Sequence, residues 1–162
     1  MTHDTLAAGW VETPVRPAGI DPRGPRLSAA LTTLVLAVVL LLAPGPVAAV
    51  LLAAQAGVFA TGALLGVQRT PYALVFRSLV RPRLSPPAHL EDAGPPRFAQ
   101  GVGLGFTVIA LVAFVAGATT VGLVATGLAL AAALLNAAFG FCLGCELYLT
   151  GARVLSRGVT AR

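Results

Sequence analysis

The chain's only two cysteines stand three residues apart, in Cys142-Leu143-Gly144-Cys145, and Glu146 follows directly. Two thiols at this spacing are suited to interconversion with a disulfide. On a helix, residues three apart share one face at about 5–6 Å, within reach of a bridge after modest adjustment. Glu146 lies four residues from Cys142, where a carboxylate with a pKa raised by partial burial would exchange the proton that moves when a thiol is oxidised. Cys142, Cys145 and Glu146 are therefore the candidate catalytic residues. Cys145, nearer the polar end, is expected to exchange with a partner, and Cys142, deeper, to resolve the mixed disulfide.

The placement of the same residues also weighs against a thiolate. Soluble thiol oxidoreductases place such a pair at a helix N-terminus, where the positive end of the dipole favours the thiolate. The apolar run here reads as one helix over 121–149, which puts the pair near a C-terminus, beside an acid. Both features disfavour the thiolate. Redox use, inert packing of two small residues and metal or sulfur ligation all stay open. Two thiols and one carboxylate fall short of the usual four zinc ligands, so no metal site is assigned.

The elements that hold these residues follow from charge. Of 162 residues, 57% are hydrophobic and only 17 are charged: eleven arginines, six acids and no lysine. A soluble domain carries roughly a quarter charged residues. The composition excludes a disordered chain, a nucleic-acid-binding domain and an ordinary cytosolic enzyme. Residues 27–68 and 98–145 contain no charge at all, in blocks of 42 and 48 residues. A crossing needs about 20 helical residues, so each block holds two. The fold class is all-α, a polytopic membrane protein with four transmembrane helices in two hairpins. Pro44-Gly45-Pro46 breaks the first block into helices near 27–43 and 47–67. Gly117-Ala118-Thr119-Thr120 breaks the second into 98–116 and 121–149.

This gives a loosely ordered cytoplasmic segment over 1–26, a first hairpin over 27–67 and a Pro/Arg-rich loop over 68–97. A second hairpin over 98–149 carries the cysteines, and a cytoplasmic tail covers 150–162. The arginines fall only in the termini and the central loop, so both termini are expected in the cytoplasm of a cell (plasma) membrane protein. A cleaved leader is disfavoured by the long, mixed-charge segment before the first apolar run. Within the loop, Tyr72, Val75, Phe76 and Leu79 recur at helical steps from Pro71 to Val80, the pattern of a short interfacial helix.

Each hairpin is introduced alike, by Gly24-Pro25-Arg26 and by Gly94-Pro95-Pro96-Arg97, which raises a parallel duplication. Small residues four apart, Gly62 and Gly66, Gly101 and Gly105, Gly140 and Gly144, are candidate close-packing sites. Gln55 and Asn136 are amides at membrane depth, more in keeping with interhelical hydrogen bonds than with a ligand. Arg81, Arg83 and Arg97 are candidate structural or partner-facing residues of the loop.

Pro82-Arg83-Leu84, Pro86-Pro87, Glu91-Asp92, Pro95-Pro96-Arg97-Phe98-Ala99-Gln100 and Asn136-Ala137-Ala138-Phe139-Gly140-Phe141-Cys142-Leu143-Gly144-Cys145-Glu146 together resemble the bacterial, largely actinobacterial, membrane family called domain of unknown function 4395. Ile20-Asp21-Pro22-Arg23 matches as well, so the likeness covers residues 18–150. The resemblance supplies no activity. Its genes often lie near thioredoxin-like proteins and sulfurtransferases, which implies thiol or sulfur chemistry. Three functions are expected in this order. The first is thiol–disulfide exchange with a thioredoxin-like or sulfurtransferase partner, a quinone being the candidate cofactor. The second is a small-solute permease for a sulfur compound, built as a homo-oligomer. The third is a membrane anchor that docks a cytosolic partner on residues 81–97.

Overall fold

A computed structural model describes residues 19–159. Residues 1–18, most of the segment expected to be loosely ordered, lie outside the described residues, as do 160–162. Helix α1 spans Arg23–Leu42, α2 Pro46–Leu65, α3 Pro71–Val75, α4 Gly94–Val115, α5 Thr119–Phe139 and α6 Leu143–Val159. No strand occurs among the described residues. A π-type turn over Phe76–Val80 and a 3-10 turn over Arg81–Arg83 prolong α3 into one helical run, where the sequence predicts an interfacial helix.

Four helices, α1, α2, α4 and α5, are long and apolar enough to cross a bilayer. They form a ring in which α1 packs on α2 and α5, and α4 on α2 and α5. All four feed one core, made by Leu36 and Val39, Ala48 and Leu52, Ala110, and Ala125 with Ala129. At most 33% of any span's most apolar stretch is buried. The outward faces carry Leu34, Leu41, Val50, Leu64, Val112 and Val115, an exterior that suits lipid. Buried hydroxyls are satisfied locally: Thr107 donates to the Gly103 carbonyl and Thr126 to that of Gly122.

The start of each hairpin is built on one plan, offset by 71 residues. Asp21 Oδ1 accepts the Arg23 N–H at 3.0 Å, and Asp92 Oδ1 accepts the Gly94 N–H at 2.7 Å. Prolines follow in the first turn of each helix, where no amide hydrogen is needed. Arg26 then donates to the carbonyls of Ala137 and Ala138 at the end of α5, at 3.0 and 2.8 Å. Arg97 donates to those of Ala63 and Leu64 at the end of α2, at 2.6 and 2.8 Å. The first helix of each hairpin thus brings a guanidinium to the negative end of the other hairpin's second helix, whose last carbonyls lack partners. The glycine ending each second helix, Gly66 at φ 104° or Gly140 at φ 69°, follows the capped carbonyls at the same two- and three-residue offsets. Ile20 and Glu91, also 71 apart, join the two hairpin starts in an antiparallel bridge, so a local pseudo-two-fold passes between them. Arg26→Gln or Arg97→Gln is expected to cost at most about 1.5–3 kcal/mol, the worth of a hydrogen bond to a charged group. The drop in melting temperature in a neutral detergent checks this.

Small residues let the elements touch. A Cβ on Gly62 would lie 2.7 Å from Gln100 Cγ, and one on Gly103 would lie 2.7 Å from the Phe59 ring. The expected pairing of Gly101 with Gly105 is not used: both face open space. Of the two expected amides, Gln55 is 1% exposed. Its Nε2 donates to Thr32 Oγ1 at 3.2 Å, and its Oε1 accepts from the Tyr72 hydroxyl at 2.8 Å. It ties α1, α2 and α3 together and is a structural group. Tyr72→Phe would leave Gln55 Oε1 buried without a donor, at a cost of about 1–3 kcal/mol. Gln55→Leu in the same background should recover part of that loss in the same melting assay.

Candidate functional site: a thiol pair at a helix start

The largest departure from the sequence expectation falls on the cysteines. The helix read as 121–149 is two helices. α5 ends at Phe139, Gly140 adopts the left-handed conformation, and its N–H bonds the Asn136 carbonyl at 2.9 Å. α6 starts at Leu143 and runs through Val159, so residues 150–159, expected as a tail, are helical. The pair therefore sits at a helix N-terminus, not near a C-terminus, and the helix dipole favours a thiolate there instead of opposing it.

Cys142 caps α6. Its carbonyl accepts the Glu146 N–H at 3.0 Å, the first bond of the helix, and its Sγ accepts the Cys145 N–H at 3.4 Å. The first hairpin repeats this with oxygen in place of sulfur. The Thr70 carbonyl accepts the Leu74 N–H at 3.1 Å, and Thr70 Oγ1 accepts the Ala73 N–H at 3.1 Å. Six residues beyond each cap, an aromatic ring lies over the glycine that begins a hairpin. A Cβ on Gly24 would stand 3.3 Å from Phe76, and one on Gly94 would stand 3.4 Å from the Tyr148 hydroxyl. Cys142 thus fills a capping position that a hydroxyl side chain fills in the other half.

This geometry separates the two thiols, which are both free and both half-buried. The Cys142 thiol is lowered to about 7, chiefly because the Cys145 thiol donates to it, with the amides of Cys145 and Gly144 adding to the effect against burial and the Glu146 charge. The Cys145 thiol is raised, because its proton is held by Cys142 and because it is buried beside the charges of Cys142, Glu91 and Glu146. An unpaired N-terminal turn favours an anion at its cap for the same reason it binds phosphate elsewhere.

Two packing contacts fix α6. Gly144 is buried against α4: a Cβ there would meet Ala99 Cβ at 2.6 Å and Ala99 Cα at 2.7 Å. The Phe98 and Tyr148 rings pack at 5.8 Å and 49°. The loop closes the other side, with Glu91 bonded through its backbone to Ile20 at 2.8 and 2.9 Å, and its carboxylate 3.5 Å from His89 Nε2.

The structure brings Cys142, Cys145 and Glu146 together. Glu146 is exposed, so the partial burial expected of it is not found. It also adds Glu91, whose charge reaches Cys145 and which the sequence alone shows only as a loop acid. Gln55 and Arg97 hold helices together and are structural. Arg83 turns its guanidinium back onto the Leu79 carbonyl. Arg81 lines a separate cavity. Asn136, half-buried, serves through its carbonyl at the end of α5. No group of three or more His, Cys, Asp or Glu side chains suited to a metal ion occurs among the described residues.

Fold and site together define an all-helical protein with four apolar helices long enough to cross a membrane and a thiol pair capping a further helix at their charged end. The chain belongs to the family described as Domain of unknown function (DUF4395), whose model matches residues 20–153. No curated protein and no solved structure matches it.

Proposed function

We propose that the protein is a membrane-embedded thiol–disulfide exchange protein, with Cys142 as the attacking thiol and Cys145 as the resolving one. The observation that carries this reading is the Cys142 sulfur at the cap of α6, accepting the Cys145 amide at 3.4 Å. It reverses the order expected from depth along a single helix. Exposure does not separate the two thiols, whereas the helix start does, since its Cys145 N–H points at the Cys142 sulfur.

Exchange proceeds by two displacements. The Cys142 thiolate attacks one sulfur of a partner's disulfide, the partner's S–S bond breaks, and its other sulfur leaves as a thiolate. Cys145 then gives its proton to a carboxylate, Glu91 or Glu146, and attacks the Cys142 sulfur. The mixed disulfide breaks, the partner's second sulfur leaves, and the proton passes to it. The partner is reduced by two electrons, and Cys142–Cys145 becomes the disulfide. Reversal of the same steps oxidises a partner dithiol. A thioredoxin-like protein or a sulfurtransferase is the partner class, and a membrane quinone is the candidate exchange partner for the two electrons.

Loop arginines gathered at one end of the bundle support a cytoplasmic placement of that end in the cell membrane. There the pair meets a reducing pool, in which a dithiol resting state is favoured. The permease reading is weaker, because the ring's interior is filled by Leu36, Leu52 and Val39, each 0% exposed. In the test, Cys145→Ser should accumulate a mixed disulfide between Cys142 and a thioredoxin-like protein, released by a reductant. No adduct with Cys145→Ser, or an equal adduct with Cys142→Ser, would reject the assignment.

A further inference from the structure

The first hairpin has its own site. At the position corresponding to the thiol pair, between the start of α1, the helical run 71–83 and the start of α4, lies a cavity of about 410 Å³. Its lining includes Asp21, Gln68, Phe76, Arg77, Arg81 and Gln100. The charges do not cancel. Asp21 is engaged by Arg23, whose Nε and Nη2 donate to its two carboxylate oxygens at 3.0 and 3.2 Å, and its charge also reaches Arg81, so one carboxylate stands against Arg23 and Arg81 with Arg77 beside them. The guanidiniums of Arg77 and Arg81, four residues apart on one helical run, have no hydrogen-bond partner among the described residues.

A ligand that fits must bring an oxyanion to the guanidiniums. It must also fill far more space than a bare inorganic anion. We infer that this cavity binds a phosphate group carried on a small organic moiety, of the glycerol-phosphate type, with Arg77 and Arg81 on the phosphate. Paired guanidiniums match phosphate oxygens in forked geometry, and basic pockets at the ends of membrane helices hold lipid headgroups in this way. The inference is independent of thiol chemistry. The phosphate comes either from an anionic phospholipid or from a soluble phosphate ester.

The full chain, delipidated in a neutral detergent at fixed ionic strength, separates these sources. Its melting temperature is followed while glycerol 1-phosphate, dioleoylphosphatidylglycerol or dioleoylphosphatidylcholine is titrated in. A saturable rise with phosphatidylglycerol alone assigns the site to a lipid headgroup, and a rise with glycerol 1-phosphate as well assigns it to the phosphate ester itself. Arg77→Gln with Arg81→Gln should weaken the response at least about tenfold, from the usual worth of a charge-assisted pair. Arg69→Gln with Arg83→Gln removes the same charge outside the cavity and should leave the response intact. The inference is overturned if neither phosphate compound shifts the melting, if phosphatidylcholine shifts it as much, or if the two double variants lose the response equally.

Discussion

Alkylation of Cys142 should show a midpoint near pH 7, while Cys145 stays almost unreactive until far more alkaline pH. The cause is the cap: the Cys145 thiol and the amides of Cys145 and Gly144 all donate toward Cys142 and lower its pKa to about 7. At pH 6, a pKa two units below the ordinary thiol range raises the thiolate fraction about 100-fold. The weaker nucleophilicity of a more acidic thiol offsets about 10-fold of that. A net acceleration of about 10-fold over an ordinary cysteine remains. Three variants divide the effect. Cys145→Ser keeps a hydroxyl donor and should hold the midpoint close to 7. Cys145→Ala removes the largest contribution and should move the midpoint upward. Cys142→Ser should abolish the fast phase. Reaction with iodoacetamide across about pH 5 to 9, resolved by peptide mass, reads all three. A fast phase that survives Cys142→Ser would overturn the assignment of the nucleophile. The sign is that of any depressed group: the thiolate contribution is complete above the ordinary thiol pKa and is lost as pH falls through about 7.

Gly144→Val should be the most damaging single substitution at the site. The added Cβ would meet Ala99 Cβ at 2.6 Å and the Ala99 backbone at 2.7 Å. Backbone cannot yield as a flexible side-chain tip does, so α6 must lift from α4. Overpacking of this kind costs about 1–3 kcal/mol, which for a chain of this size is about 2–12 °C in melting temperature. The Phe98–Tyr148 packing would be disturbed with it, and the Cys142 cap would shift relative to Glu91. The alkylation midpoint should therefore rise together with the loss of stability. Gly144→Ala should show a smaller version of both, and Ala99→Gly should relieve it in part by removing one of the two contacts. Gly101→Ala is the contrast, since that glycine faces open space. It should leave melting and alkylation unchanged.

Much of this architecture is legible in the sequence because lipid imposes simple demands. Charges excluded from 27–68 and 98–145 mark four spans. Pro44-Gly45-Pro46 and Gly117 mark the two turns, and the Tyr72, Phe76 periodicity marks the loop helix. The break at Gly140 is hidden for a physical reason. The chain stays apolar from Phe98 to Cys145, so no charge signals the end of α5. The group that caps that end is Arg26, 111 residues away from Ala137. A glycine within an apolar helix is also ordinary where helices pack closely. The signal that could have found the break is the repeat. Placing Arg26 over Arg97, an offset of 71 residues, carries Thr70, with its helix-starting Pro71, to Phe141, one residue before Cys142. The approach of Glu91 to Cys145 was not legible, because the Ile20–Glu91 bridge that fixes the loop joins two segments with no shared pattern of hydrophobicity.

The repeat also accounts for how the two halves come to present different side chains at corresponding positions. Each has an Asp at its start, a capping Arg, a terminating Gly, a capped helix and an aromatic ring over its first glycine. The first places a threonine hydroxyl at the cap and two guanidiniums nearby. The second places sulfur at the cap and two carboxylates nearby. The scaffold is common, and the side chains at corresponding positions set the chemistry.

The most direct test of thiol exchange is the redox state of the pair in native membranes. Cells are quenched with acid, and free thiols are labelled with a mass-adding maleimide before and after reduction. A cycling pair takes two labels at rest, none after a brief oxidant challenge, and two again when the oxidant is withdrawn. A membrane-impermeant reagent should label the pair only when the cytoplasmic face is opened. Two labels under every condition, with full function in the Cys142→Ser, Cys145→Ser double variant, would contradict thiol exchange.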